Sequence, residues 1–158
     1  MKRMTGPLLA VLTFTLFGWA IVQSVAQEKS AESRKQGSIA WRDSLDKARE
    51  IAAKEKKPIF MDFSAEWCGP CQEMLRTTYK DKAVVARSSK FVPVLIDVDK
   101  QSKLAERYGV QAIPTVVFLN AKGDILRRES GYHTAQEFLK IFESMEKGAA
   151  QAKHTAAR

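Results

Sequence analysis

The sequence predicts an α/β domain built on a central mixed sheet of about four strands, with helices on both faces. Three observations carry the prediction. The chain has 158 residues, 45% of them hydrophobic and 28% charged, which is enough to bury one ordinary core with flanking segments. Apolar runs of strand length alternate with stretches of helical period. The last two strand-like segments, 115–119 and 125–130, are joined by a turn-rich stretch, so a parallel half is followed by an antiparallel hairpin.

Residues 38–147 hold the predicted domain. Trp41, Leu45, Ala48, Ile51 and Ala52 recur at a helical period, and Pro58 stops the helix, giving a first helix from about Arg42 to Glu55. Ile59 to Phe63 is a nearly continuous apolar run, the pattern of a strand covered on both faces, and Asp62 interrupts it. Gln72 to Tyr79 suits a helix, and a second helical stretch spans Ala83 to Ser88. Phe91 to Val98 reads as a strand with Pro93 near its start or at an irregularity. Ser102 to Tyr108 reads as a short helix ended by Gly109, and Thr115 to Leu119 as a β-branched and aromatic strand. Asn120 to Asp124 turns the chain and Ile125 to Ser130 returns as a strand. Thr134 then caps an amphipathic helix carrying Phe138, Leu139, Ile141, Phe142 and Met145, which Gly148 is expected to end. The Ala-rich tail, 148–158, offers no core positions and is expected to be disordered.

Residues 1–37 have a different composition. Lys2 and Arg3 precede an apolar run from Leu8 to Val22, and Ser24-Val25-Ala26 has the small residues a signal peptidase accepts, so 1–26 reads as a secretory signal. The alternative is an uncleaved anchor. Fifteen helical residues would span about 22 Å, short of the roughly 30 Å hydrocarbon core, which weighs against a permanent span. Residues 27–37 are polar without apolar periodicity and read as a flexible spacer. The expected location is periplasmic or otherwise extracytoplasmic, with tethering to the membrane if the leader is retained.

The formal net charge is +8; loss of Lys2 and Arg3 would leave 24 basic against 18 acidic residues, or +6. These charges are scattered and no aromatic-interleaved basic stripe is present, so nucleic acid is not an expected partner.

Both cysteines fall in the segment Trp67-Cys68-Gly69-Pro70-Cys71. A bridge closing so short a loop would constrain the unfolded chain weakly, so reactivity is the better reason for the pair. Cysteines three apart on the first turn of a helix lie on one face, close enough to exchange between dithiol and disulfide. Cys68 at the helix N-terminus would be favoured as thiolate, and Cys71, a turn further in, would be the resolving thiol. Gly69 lets a partner backbone approach, and Pro70 fits the early helix, where no N–H donor is needed. No cofactor beyond the Cys68–Cys71 disulfide is expected. A zinc site needs four ligands, and outside this pair the chain offers only His133 and His154 besides carboxylates. Haem attachment fails because Gln72, not His, follows Cys71. His133 is assigned to the surface or a helix start, without a role.

The string Asp62-Phe63-Ser64-Ala65-Glu66-Trp67-Cys68-Gly69-Pro70-Cys71, with Ile113-Pro114-Thr115 downstream and Gly131 beyond, resembles the thioredoxin family over roughly residues 41–147. The helix before the first strand and Ser130-Gly131-Tyr132 look most like extracytoplasmic members, including the C-terminal domain of the transmembrane reductase DsbD. The resemblance implies a thioredoxin fold and a cis peptide bond at Pro114 beside the cysteines, presenting backbone to an extended partner. A trans loop proline is the alternative. It implies a substrate-binding surface of Trp67, Gly69, Pro70, Ile113, Pro114 and Gly131, although Trp67 could equally be core. Asp62 matches the family's buried carboxylate, which exchanges a proton as Cys71 changes state; a hydrogen-bonded structural Asp is the bland alternative. Leu95 departs from the pattern, standing where many thioredoxins place a lysine near that carboxylate.

The function expected is a thiol–disulfide oxidoreductase, a reductase in particular, because Gly69-Pro70 resembles the dipeptide of reducing thioredoxins. Its partners would be protein thiols and disulfides, with a membrane-embedded thiol carrier as electron donor, and a monomer is the default. A disulfide oxidase or isomerase, or a non-catalytic peptide-binding assembly module, would use the same fold.

Overall fold

The computed structural model describes residues 38–155. The leader and spacer assigned to residues 1–37 lie outside the described residues, as does the end of the tail, 156–158. Among the described residues no helix is long and apolar enough to cross a membrane.

The elements run α1 (Leu45–Glu55), β1 (Ile59–Ser64), α2 (Gly69–Arg76), a one-turn 3-10 helix (Thr78–Lys80), α3 (Lys82–Ser88), β2 (Val92–Asp97), α4 (Ser102–Arg107), β3 (Thr115–Leu119), β4 (Ile125–Ser130) and α5 (Ala135–Thr155). The four strands lie in the order β2-β1-β3-β4. β1 runs parallel to β2 and antiparallel to β3, and β3 and β4 form the expected hairpin.

β1 is central, and all six of its residues are buried. Alternation along the strands divides the core in two. On one face Met61, Phe63, Val94, Ile96, Val117 and Leu119 meet Leu45, Ala48 and Ala52 of α1. On the other, Phe60, Val116 and Phe118 meet Met74 of α2, Tyr79, Val84 of α3, and Phe138 and Phe142 of α5. Phe60 sits amid aromatic rings, with Trp41 and Phe142 each 5.3 Å away between centroids.

Several boundaries differ from the expectations. α1 starts at Leu45 rather than Arg42, because the Ser44 hydroxyl caps it, accepting the Lys47 N–H at 3.4 Å. Arg42 is drawn instead to the outer edge of β2: its N–H donates to Pro93 O at 3.0 Å and its carbonyl accepts Leu95 N–H at 2.9 Å. The donor that Pro93 lacks therefore falls on the outer edge, and the ladder to β1 loses nothing. The helix expected over 72–79 starts earlier, at Gly69, and ends at Arg76, where Thr77 Oγ1 donates to Glu73 O at 2.7 Å.

The largest correction concerns the tail. Gly148 does not end α5, which continues to Thr155, so 149–155 are helical rather than disordered. A single interior glycine costs only about 1 kcal/mol, and the alanines around it are the best helix formers. The start is as expected: Thr134 N–H and Oγ1 both donate to Glu137 Oε2 at 2.8 Å, a reciprocal cap.

Candidate active site

β1 delivers the chain to the site, and a turn follows it. The Cys68 N–H donates to Ala65 O at 3.2 Å, and Gln72 Nε2 donates to the same carbonyl at 2.9 Å, bracing the turn from α2. Cys68 takes the N-cap of α2 in extended conformation, and its Sγ accepts the Cys71 N–H at 3.3 Å. The two cysteines are bridged, with their Cα atoms 5.3 Å apart. Cys68 is 5% exposed and Cys71 0%, so a partner arriving from solvent meets Cys68 first. The unpaired N–H groups of the first turn and the helix dipole both favour negative charge on that sulfur.

The residues around the pair fall on its solvent side. Gly69 and Pro70 form the first turn of α2, and a side chain built on Gly69 would meet nothing within 4 Å, so the approach to Cys68 is open. Trp67 is 70% exposed, with its indole N–H donating to Asp99 Oδ2 at 2.9 Å; it belongs to the rim of the site and not to the core.

Ile113 packs against the cysteines, and the Ile113-Pro114 peptide bond is cis. The Pro114 carbonyl accepts the Gly131 N–H at 2.8 Å, which ties this loop to the end of β4. Gly131 has φ +95°, a conformation that side chains disfavour, and the space beside it is empty. Thr115 Oγ1 donates to Ala112 O at 2.7 Å, fixing the loop from its other end. Among the described residues, no backbone–backbone hydrogen bond uses the Ile113 N–H or carbonyl.

Asp62 lies deeper. By strand alternation it shares a sheet face with Phe60, the face that α2 covers through Met74, one turn after Cys71. It is 0% exposed, with Leu95 and Val116 as its register partners on either side. Burial raises its pKa to about 7, opposed in part by the Tyr79 hydroxyl that faces it. That contact falls short of full hydrogen-bond geometry: neither Asp62 oxygen nor Tyr79 Oη has a partner among the described residues.

His133 sits half-buried before α5, and its carbonyl accepts Thr78 Oγ1 at 2.6 Å.

The site thus joins a slightly exposed sulfur at a helix N-terminus, a fully buried second sulfur, a cis proline whose preceding Ile113 packs on the pair, and a buried carboxyl on the sheet face that the helix covers. A thioredoxin-like domain family matches residues 45–146, more than half of the chain and every one of these groups. The chain belongs to the thioredoxin-like family. It is 48% identical over 75 residues to Thioredoxin-1 of Drosophila melanogaster, covering 47% of this chain and 67% of that protein. It is 32% identical over 103 residues to the thiol:disulfide interchange protein DsbD of Vibrio vulnificus, which covers 61% of this chain but 17% of that much longer protein. The solution structure of a thioredoxin from Thermus thermophilus matches with a TM-score of 0.62 at 29% identity, over 68% of this chain and 87% of the other. With its cysteine pair bridged and placed as above, this thioredoxin-like chain is a thiol–disulfide oxidoreductase.

Three residues around the thioredoxin-like site escaped the reading of the sequence. Gln72 and Asp99 act through hydrogen bonds to the Ala65 carbonyl and the Trp67 indole, contacts with no periodic signature. Tyr79 was expected at the end of a helix. The signal was available in principle, since a tyrosine in an apolar setting needs a partner for its hydroxyl.

Proposed function

We propose that this protein is an extracytoplasmic reductase of protein disulfides, resupplied with electrons by a membrane-embedded thiol carrier. The observation that carries the reading is the setting of Cys68 Sγ: one backbone N–H and a helix N-terminus favour its thiolate, and no cationic side chain among the described residues hydrogen-bonds it. A thiolate stabilised only that far leaves the dithiol form readily oxidised, which is the property of a reductant. Gly69-Pro70 between the cysteines supports the same direction by its likeness to reducing thioredoxins. The export pattern of residues 1–26 supports the location, and the partial match to DsbD supports a membrane donor.

The steps follow from the geometry. The Cys68 thiolate attacks one sulfur of the partner disulfide, and the other leaves as a thiolate that takes a proton from water. An extended partner segment is held by the unused Ile113 backbone groups beside Trp67 and Gly131. Asp62, as carboxylate, accepts the Cys71 proton. Cys71 Sγ then attacks Cys68 Sγ, the Cys68–partner bond breaks, and the released partner thiolate is protonated. Two electrons have passed to the partner and the Cys68–Cys71 disulfide remains, with no cofactor required. A donor dithiol restores the reduced form by the reverse exchange.

Replacement of Cys71 by Ser should accumulate mixed disulfides through Cys68, visible as bands that collapse on reduction, while Cys68→Ser should form none. Normal client maturation in cells carrying Cys68→Ser would instead make this a peptide-binding module. Fractionation with N-terminal mass analysis of the expressed chain tests the location, and a cytoplasmic protein that retains Lys2 would contradict it.

A further inference from the structure

The Asp62 carboxyl is enclosed by apolar neighbours and one phenol. β2 and β3 present Leu95 and Val116 beside it in register. Among the elements on its face, α2 buries Cys71 and Met74, α5 buries Phe138 and Phe142, and α3 buries Val84 and Val85. Among the described residues no lysine, arginine or histidine bears on it; Tyr79, in the buried layer on the same sheet face, is the titratable side chain that faces it, apart from the cysteine it serves. Tyr79 is itself 2% exposed, and its hydroxyl has no other partner among the described residues. Its ring is held edge-on by Trp41 at 5.0 Å and Phe138 at 5.2 Å, so the hydroxyl cannot swing away without opening the aromatic core.

We infer that Tyr79 is the positioning residue for Asp62: its Oη–H closes onto the carboxylate when Asp62 ionises and orients it, in a site where no cation among the described residues faces it. Two buried polar groups facing each other, each with no alternative, are costly unless they pair in one state of the cycle. The charged state is that state, because a phenol donates more strongly to a carboxylate than to a neutral acid. The opposite direction is excluded, since burial and the adjacent carboxylate hold the Tyr79 pKa well above its ordinary value, so the phenol remains the donor.

This inference rests on the proposed proton role of Asp62, and the test separates the two. Tyr79→Phe removes one oxygen and keeps the ring, so the fold should survive. Asp62 is titrated directly by carboxyl ¹³C NMR in the oxidised protein, and the pH dependence of peptide-disulfide reduction is measured alongside it. In Tyr79→Phe the Asp62 titration should rise by about one pH unit, the loss of one hydrogen bond to a charged group, and the kinetic inflection should rise with it. Turnover at pH 7 then falls about five-fold and recovers by pH 9. In an Asp62→Asn background the same change should leave the pH profile unaltered. An unmoved Asp62 titration in a folded Tyr79→Phe protein overturns the inference and leaves the Asp62 role standing. A titration that moves while turnover does not follow removes Asp62 from the reaction, and the inference falls with it.

Discussion

Asp62, a carboxyl at 0% exposure with a pKa raised by burial to about 7, bears on stability and, in its proposed proton role, on rate. In its proposed role as base for Cys71, Asp62 acts only when ionised, so the reduction rate of the intact protein should climb through about pH 7. Asp62→Asn should lose that inflection and slow the reaction by at least about ten-fold near neutral pH. Identical pH–rate profiles in the two proteins would take Asp62 out of the chemistry. The stability effect has the opposite sign. The folded chain keeps a proton on Asp62 between about 3.8 and about 7 that the unfolded chain has already released. Asp62 therefore lowers stability increasingly as pH rises through that window, by something of order 4 kcal/mol at its end. Denaturant titrations of the oxidised proteins should show Asp62→Asn more stable than the parent at pH 8, with the gap closing toward pH 4. A gap independent of pH would contradict the burial argument. Asp62 was legible in the sequence as a charge in an apolar strand, and Leu95 as a missing lysine, but Tyr79 was not. Its partnership spans two elements separated by the active-site helix, and no periodicity records that.

At the scale of elements, the legible features were those with a local cause. β1 read as buried on both faces because its apolar run is continuous, and the hairpin of β3 and β4 read from the turn residues between them. The start of α1 did not, because Arg42 is claimed by the β2 edge, a contact between residues distant in sequence. Nor did the end of α5, where alanines outweigh Gly148. The end of α1 offers a test of backbone conformation. Lys56 closes it at φ +53°, ψ 37°, a left-handed geometry that a side chain disfavours. Lys56→Gly should stabilise the protein by about 0.5–1 kcal/mol in denaturant titration, with activity unchanged. A destabilised variant would mean that the lysine side chain contributes more than its backbone costs.

The described domain is a sheet held between two apolar layers, with the redox pair at the end where β1 enters α2. The aromatic layer is the more concentrated: Phe60 contacts Trp41, Phe91, Phe118, Phe138 and Phe142 at 5.3–6.1 Å between centroids. Truncation of Phe60 to alanine should cost about 3–5 kcal/mol by calorimetry or denaturant titration, a large fraction of the roughly 5–15 kcal/mol by which such domains are stable. A loss under about 1 kcal/mol would show the layer to be loosely packed. The order of elements and the position of the cysteines were both readable from the sequence; the direction in which electrons flow was not, because it depends on the few donors around one sulfur atom. The equilibrium reduction potential of the purified chain against a glutathione or dithiothreitol series measures that balance directly. A reductase should give a value near that of reducing thioredoxins, about −270 mV; a value near about −120 mV would contradict the proposed function and make the protein a disulfide-forming oxidant.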